Sequence, residues 1–332
     1  MGKRHAPRKG SMGYSPRKRA RSHIPHFKAW PEDGETPKLQ GFAGYKAGMT
    51  HAFVVDYRPT STTTKQEVQI PVTVLEVPPL KVAAVRGYEN STYGMRTAGE
   101  AWARSLDDEL ERRLPIPDQG NPDGGLKILR KKDLEDVRVL AYTQPKLLSG
   151  VPKKKPDLME FRVGGGTMEQ RLDYAAGLLG KEITIRDFTR EGVMLDVASI
   201  TKGKGFQGSV KRWGVKLLTH KNRKHRRATG TLGPRNPDYV IRTVPQPGQV
   251  GYHQRTEHNK RVIKIGDKGE EITPSGGFLH YGVIRNPYII LHGTIPGPTK
   301  RLVKLRDAVR FRRTEVESVD VAYISTQSKQ GA

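Results

Sequence analysis

The stretch TKGKGFQGSVKRWG (201–214) sets Gly203, Gly205 and Gly208 at G-x-G-x-x-G spacing, directly after a strand-like GVMLDVASI. In a nucleotide-dependent enzyme such a turn brings backbone against a pyrophosphate, which the amides and dipole of a following helix then hold. That chemistry also needs a carboxylate about 20 residues further on, for the ribose hydroxyl. Here the first acid is Asp238, thirty residues past Gly208. The sequence between them has no 3.6-residue apolar stripe, meets another glycine after six residues and is crowded with Lys and Arg. The glycines therefore read as points where backbone turns tightly or approaches another surface. No cofactor is expected.

Histidine is the other source of chemistry. His220 and His225 lie five apart, and His253 and His258 sit beside the single acid Glu257. There is no H-E-x-x-H, no carboxylate-rich cluster, no G-x-S-x-G elbow and no P-loop. The absence of cysteine removes disulfides, thiolate metal sites and a cysteine nucleophile. The expectation is no catalytic residue, no metal and no small-molecule substrate: not an enzyme.

Charge carries the signal instead. The 332 residues hold 59 Lys and Arg against 34 Asp and Glu, a net charge of +25. Residues 1–30 have nine cations and no acid, and residues 201–260 have fourteen cations against Asp238 and Glu257. The other 242 residues are left with a net charge of only +4. A nearly neutral body thus carries two strongly cationic appendages, and a polyanion is their natural partner. The internal run is studded with Gly and Pro and interleaved with Phe206, Trp213, Tyr239 and Tyr252. It has too few apolar side chains to fold by itself. Extended basic chain with aromatic interruptions suits threading between phosphates and stacking on unpaired bases.

The candidate RNA contacts on the arm are Lys3, Arg4, Arg8, Lys9, Arg17, Lys18, Arg19 and Arg21. In the central segment they begin with Lys202, Lys204, Phe206, Lys211, Arg212, Trp213 and Lys216, and continue through Lys221, Arg223, Lys224, His225, Arg226 and Arg227. Arg235, Arg242, Tyr252, His253, Arg255 and Lys260 follow, and Lys46 and Arg261 complete the set. The N-terminus is basic without an apolar signal segment, and no apolar run reaches 18 residues, so no membrane partner and a cytoplasmic location are expected.

The elements that must position these residues are mostly strands. HAFVVDYR (51–58), QEVQIPVTVLEV (66–77) and KVAAVRGYE read as strands, the second with Val68, Ile70, Val72 and Val74 on one face. Residues 97–180 change character. TAGEAWARSLDDELERRL sets Trp102, Leu106, Leu110 and Leu114 at four-residue spacing, which predicts an amphipathic helix. KKDLEDV and TMEQRLDYAAGLL also read as helices, the latter opened by a Thr167–Gln170 capping box. RVLAYTQP and LMEFRVGG between them are strand-like, as are EITIRDF, GVMLDVASI, RVIKIGD, GFLHYGVI, YIILHGTIP, RLVKLRD and EVESVDVAYI. The fold class is mainly β with an α/β insertion, a barrel or a sandwich.

Five motifs in fixed order carry a resemblance: APRKGSMGYSPRKRA near the start, GYKAGMTH at 44–51, TKGKGFQG with KRWG at 201–214, GQVGYHQRTEHNKR at 248–261 and ITPSGGFLHYG at 272–282. Together they resemble the universal large-subunit ribosomal protein three family in its archaeal and eukaryotic form. The chain stops soon after VDVAYIST, which fits the archaeal branch. The resemblance implies a closed translation-protein-type β-barrel with a basic arm and a long central loop that run into ribosomal RNA. It implies binding near the 3′ end of the large rRNA, help in starting subunit assembly, and a loop reaching toward the peptidyl transferase centre and the corridor for aminoacyl-tRNA. Large-subunit proteins fourteen and twenty-four e would be its neighbours. On this basis 1–37 is the arm, 38–96 the first part of the barrel, 97–180 the insertion, 181–200 barrel strands, 201–260 the RNA-penetrating loop and 261–332 the last part of the barrel.

Two departures stand out. The family often carries a loop-tip tryptophan within G-x-W-x-P, where this chain reads GPRNP and presents Arg235. A guanidinium plane can take over a stacking role. The position equivalent to a histidine modified in some eukaryotic members is Arg223, the nearest imidazole being His225. Another cytoplasmic RNA-binding protein remains the alternative at this point.

Overall fold

The computed structural model describes residues 9–31, 34–58, 61–116, 120–310 and 319–328. The chain is mainly β with a few short helices. Its first eight strands are β1 (Lys38–Leu39), β2 (Gly41–Val55), β3 (Glu67–Glu76), β4 (Leu80–Ser91), β5 (Gly94–Trp102), β6 (Asp136–Tyr142), β7 (Leu158–Gly164) and β8 (Glu182–Ile183). There follow β9 (Met194–Ile200), β10 (Phe206–Gln207), β11 (Gly248–Gln249), β12 (Gln254–Gly266), β13 (Tyr288–His292), β14 (Leu302–Asp307) and β15 (Val321–Ile324). The α-helices are α1 (Pro122–Arg130), α2 (Met168–Leu178), α3 (Ile185–Phe188) and α4 (Ser209–Trp213).

Two compact units emerge, Met1–His23 with Ile200–Arg255, and Ile24–Ser199 with Thr256–Ala332. The second, larger unit holds two sheets. In one, β14 pairs with both β9 and β2, so the path β14-β9-β12-β13-β3-β2 returns to its start, and β15 is added along β2. The fifteen residues of β2 serve three partners: its start faces β14, its length runs along β3, and Ala52–Val54 meet β15. The alternation in β3 holds over its first half; from Val72 onward both faces are buried. The second sheet runs β1-β7-β6-β4-β5 with β8 on β4. The boundary expected at position 97 falls inside β5, and β4 joins the later strands β6 and β7.

Several expected elements differ. The helix expected over 97–114 is instead the end of β5, a turn, and a 3₁₀ turn over Asp108–Arg112. Trp102, Leu106, Leu110 and Leu114 do converge on one small core, with Ala83 and Tyr142, but by this broken route. Cross-strand pairing with β4 outweighs the helical spacing of those four residues. KKDLEDV forms the turn into β6, and the helix lies just before it as α1, with Pro122 at its first turn and the Asn121 side chain accepting from the Gly124 amide at 2.9 Å. Its paired glycines hide it in the sequence; a Cβ on Gly125 would come within 2.7 Å of the Ala101 Cα, so only glycine lets α1 lie so close to β5. EITIRDF is a strand only over β8, after which Thr184 and Asp187 cap α3. GFLHYGVI is a turn closed by Phe278 and Gly282. Of EVESVDVAYI, β15 is described, and 315–318 lie outside the described residues.

Two buried charges tie the core strands together. Asp196 on β9 is fully buried and accepts from Arg306 of β14 (2.8 Å), His258 Nδ1 of β12 (2.9 Å) and the Asn259 and Val309 amides. Lys304 on β14 donates to the Glu160 carbonyl at 2.6 Å and lies 4.7 Å from the Phe161 ring and 5.5 Å from Trp30. Burial among these rings disfavours its charged form and brings its pKa from 10.5 down to about 7. The unfolded chain then binds more protons than the folded one between pH 7 and 10.5. The stability this lysine supplies is complete above pH 10.5 and is lost as pH falls toward 7. Lys304→Met removes the titration. Its stability relative to wild type should therefore be most favourable at pH 7 and decline by up to about 1.4 kcal/mol per pH unit on the way to pH 10, as followed by thermal unfolding at three pH values.

Candidate nucleic-acid interface

The smaller unit takes in most of the cationic sequence. It contains twenty-one Lys and Arg, and its only acid is Asp238. The segment leaves β9 at Ile200 and returns at Gln254, and its two ends run side by side. Lys204 N donates to Val250 O and Val250 N to Gly205 O, both at 2.9 Å, and β10 pairs with β11. Gly205 has a φ of +66°, and a Cβ on Gly251 would meet the Lys202 carbonyl at 2.0 Å. The glycines here serve a tight two-chain crossing. A helix does follow the third glycine of the motif, but α4 lasts five residues and ends at Gly214 in the left-handed conformation.

Trp213, at the end of α4, is the pin of this unit. It is 7% exposed, and its Nε1 donates to the Gln246 carbonyl at 2.9 Å. The Arg17 guanidinium lies over its ring at 3.8 Å, and a Cβ on Gly10 would stand 2.7 Å from its Cε3. Arg17 Nη1 donates to the Arg212 carbonyl at 2.6 Å. Arg212 in turn donates to the carbonyls of Gln246 (2.9 Å), Gln249 (3.2 Å), Arg17 (3.3 Å) and Pro247 (3.4 Å). Burial, with Arg17 close by, lowers the Arg212 pKa. Further along, Ala20 N donates to Tyr252 O at 2.8 Å, and the Tyr252 hydroxyl meets His23. His253 is buried; its Nδ1 lies 2.9 Å from the Lys18 carbonyl, and burial lowers its pKa, so the neutral ring donates that bond. Arg255 lies over Tyr14 at 4.8 Å.

The predicted contacts therefore fall into three groups. Lys9, Lys18, Arg19, Arg21, Lys202, Lys204, Phe206, Lys211 and Lys216 are exposed, as are Lys221, Arg223, Lys224, His225, Arg226, Arg227, Arg235 and Arg242. Phe206 is 76% exposed on β10, an aromatic face open to solvent. Arg17, Arg212, Trp213, Tyr252, His253 and Arg255 instead hold arm and loop together. Three more belong to the larger unit. Lys46 is buried and donates to the carbonyls of Ile295 (2.7 Å) and Gly297 (3.1 Å), a structural lysine rather than an exposed cation. Lys260 pairs with Glu257 at 2.8 Å, and Arg261 is half-buried on β12. Lys3, Arg4 and Arg8 lie outside the described residues. Gly10 and the Gln246 carbonyl, both essential to the pin, carry no signal in the sequence beyond a glycine in a basic run. Among the described residues no cluster of His, Asp or Glu is arranged to hold a metal, and no helix is long and apolar enough to cross a membrane.

Comparison with known proteins places this architecture. The profile of the family described as ribosomal protein L3 matches residues 1–116 and 123–331. The chain belongs to the ribosomal protein L3 family. Among its relatives, the large ribosomal subunit protein uL3 of Archaeoglobus fulgidus is 55% identical over 99% of both chains. The proteins of the same name from Methanocaldococcus jannaschii and Picrophilus torridus are each 50% identical over 98% of both chains. As an L3-family chain it is a structural ribosomal protein by kinship, consistent with a basic unit bound together by carbonyls and rings.

Because Trp213 is the buried pin, Trp213→Ala should cost about 3–5 kcal/mol in the smaller unit. Hydrogen exchange should show the amides of Ala20, Val250 and His253 losing protection. Lys204→Ala, on an exposed side chain, should leave all three unchanged.

Proposed function

We propose that this chain is a structural protein of the large ribosomal subunit, working in the cytoplasm as part of a ribonucleoprotein. It binds large-subunit rRNA near the 3′ end and helps to nucleate assembly. The observation that carries the reading is the smaller unit, where twenty-one cations face one acid and the exposed ones line both arm and loop. Such a surface attracts a polyanion, and each phosphate it neutralises releases counterions. The exposed Phe206 adds a ring for an unpaired base. The ring of pairings through β14, β9, β12, β13, β3 and β2 is read as the closed, translation-protein-type barrel from which arm and loop extend. The loop reaches toward the peptidyl transferase centre, and large-subunit proteins fourteen and twenty-four e are its protein neighbours. The chain takes no cofactor and no small-molecule substrate.

Arg235 is exposed, at the bend between Pro234 and Pro237, the position where the family resemblance implies a tip tryptophan. Arg235→Ala should leave thermal stability and subunit incorporation unchanged, and Arg235→Glu should slow tRNA accommodation in the assembled ribosome. Accommodation at the wild-type rate would remove the tip from the mechanism.

The decisive test is salt dependence. Replacing Lys202, Lys204 and Lys211 by alanine should reduce the slope of log K against log salt by about 2–3, at 0.7–0.9 per lost phosphate contact, with no change in unfolding midpoint. Tagged wild-type chain should co-sediment with large subunits through a high-salt gradient. Binding to unrelated RNAs as strong as to large-subunit rRNA would favour a general RNA-binding protein.

A further inference from the structure

Within the smaller unit, arm and loop enclose a cavity of about 640 Å³, walled by Ser15–Lys18 on one side and by Arg212, Trp213 and residues 240–246 on the other. Three features set it apart from the surrounding basic surface. Part of its wall is apolar: Val240 and Ile241 are 47% and 40% exposed, and Val244 lines the cavity with them. Its rim is cationic, with Lys18 and Arg242 both exposed. And Arg17, which lines the cavity, keeps a buried Nε with no hydrogen-bond partner. A buried donor without an acceptor is costly and calls for an explanation.

We propose that this cavity takes a single unstacked nucleotide of the bound RNA. The base lies against Val240, Ile241 and Val244, the Arg17 guanidinium supplies a donor to the nucleotide, and Lys18 and Arg242 meet the phosphate. The volume falls in the range of pockets that enclose small ligands. The combination of an apolar slot with cations at its mouth matches the two halves of a nucleotide, whereas a duplex offers only its phosphates to such a site. Charge crowding points the same way: Arg17 and Arg212 stand together with no carboxylate at hand, and an incoming phosphate supplies the missing anion. The site rests on the RNA-binding reading of this unit and adds to it a preference for an extruded base.

The test uses the full chain and three probes: a uridine decamer carrying one 4-thiouridine, a paired adenosine–uridine decamer duplex, and UMP. Wild type should bind the single strand more tightly than the duplex, and irradiation should crosslink the thiouridine to residues 240–244 or 15–18. Val240→Ser with Ile241→Ser keeps every cation and changes only exposed side chains. It should weaken single-strand binding at least fivefold, as loss of a base contact does, while duplex affinity and its salt slope stay unchanged; the unchanged duplex arm also reports that the unit is folded. Equal single-strand binding by the double variant, or crosslinks confined to Phe206 or Tyr239, would overturn the cavity and leave the general RNA-binding reading intact. Salt-dependent binding to neither RNA would overturn both. UMP bound as tightly as the decamer would overturn it in favour of a site for a free nucleotide.

Discussion

A unit with twenty-one cations and one carboxylate cannot be held together by ion pairs. That constraint shapes everything between Ile200 and Arg255. Its arginines turn to the two acceptors that carry no formal charge: carbonyl oxygens and aromatic faces. Arg212 binds four carbonyls, and Arg17 binds one and stacks on Trp213. Each such bond is charge-assisted and stronger than a neutral one. None of them neutralises the field, however. Local geometry is thus obtained without spending the positive potential that draws in a polyanion.

The larger unit solves the opposite problem. There, charge is buried and must be matched. Asp196 collects Arg306, His258 and two amides on the strands from which the basic segment departs and to which it returns. A fully buried carboxylate with these partners fixes β9, β12 and β14 in register more sharply than apolar contacts do, because any slip leaves a buried charge unpaired. Glu76, also fully buried, plays a similar part elsewhere, accepting from Tyr281, Asn286 and the Arg285 amide to hold the turn that was expected to be a strand.

What could be read from the sequence follows from this division. The concentration of cations was plain, since it depends only on composition, and so were Thr167 capping α2 and the alternating or apolar runs of β3, β6, β7, β9, β13 and β14. The helix expected over 97–114 does not form, because Trp102, Leu106, Leu110 and Leu114 meet at one core by strand and turn as well as they would on one helical face. Residue type was an even poorer guide to individual roles among the basic residues. Lys46 and Lys204 are alike in sequence, yet one points at carbonyls inside the fold and the other at solvent. Trp213 and His253 have the chemistry to touch bases and instead lie buried against chain from the arm. Which way a side chain faces is decided by partners some 200 residues distant, such as Arg17 for Trp213, and local sequence does not encode that.

The closing pair of the strand ring has a consequence in time. Tyr45 pairs with Leu302, so β2 meets its second neighbour only after 257 further residues have been made. At about 5–20 residues per second, the ribosome needs roughly 13–50 s to deliver them. Through that interval β3 is the one partner of β2 that has been made, and the whole cationic segment is synthesised before β14 exists to complete the ring. Pairings between such distant strands are slow to nucleate because a long loop must be closed first. The nascent chain thus offers its most adhesive surface to cellular polyanions while its scaffold is still open, so the order of synthesis favours early capture by RNA over completion of the fold.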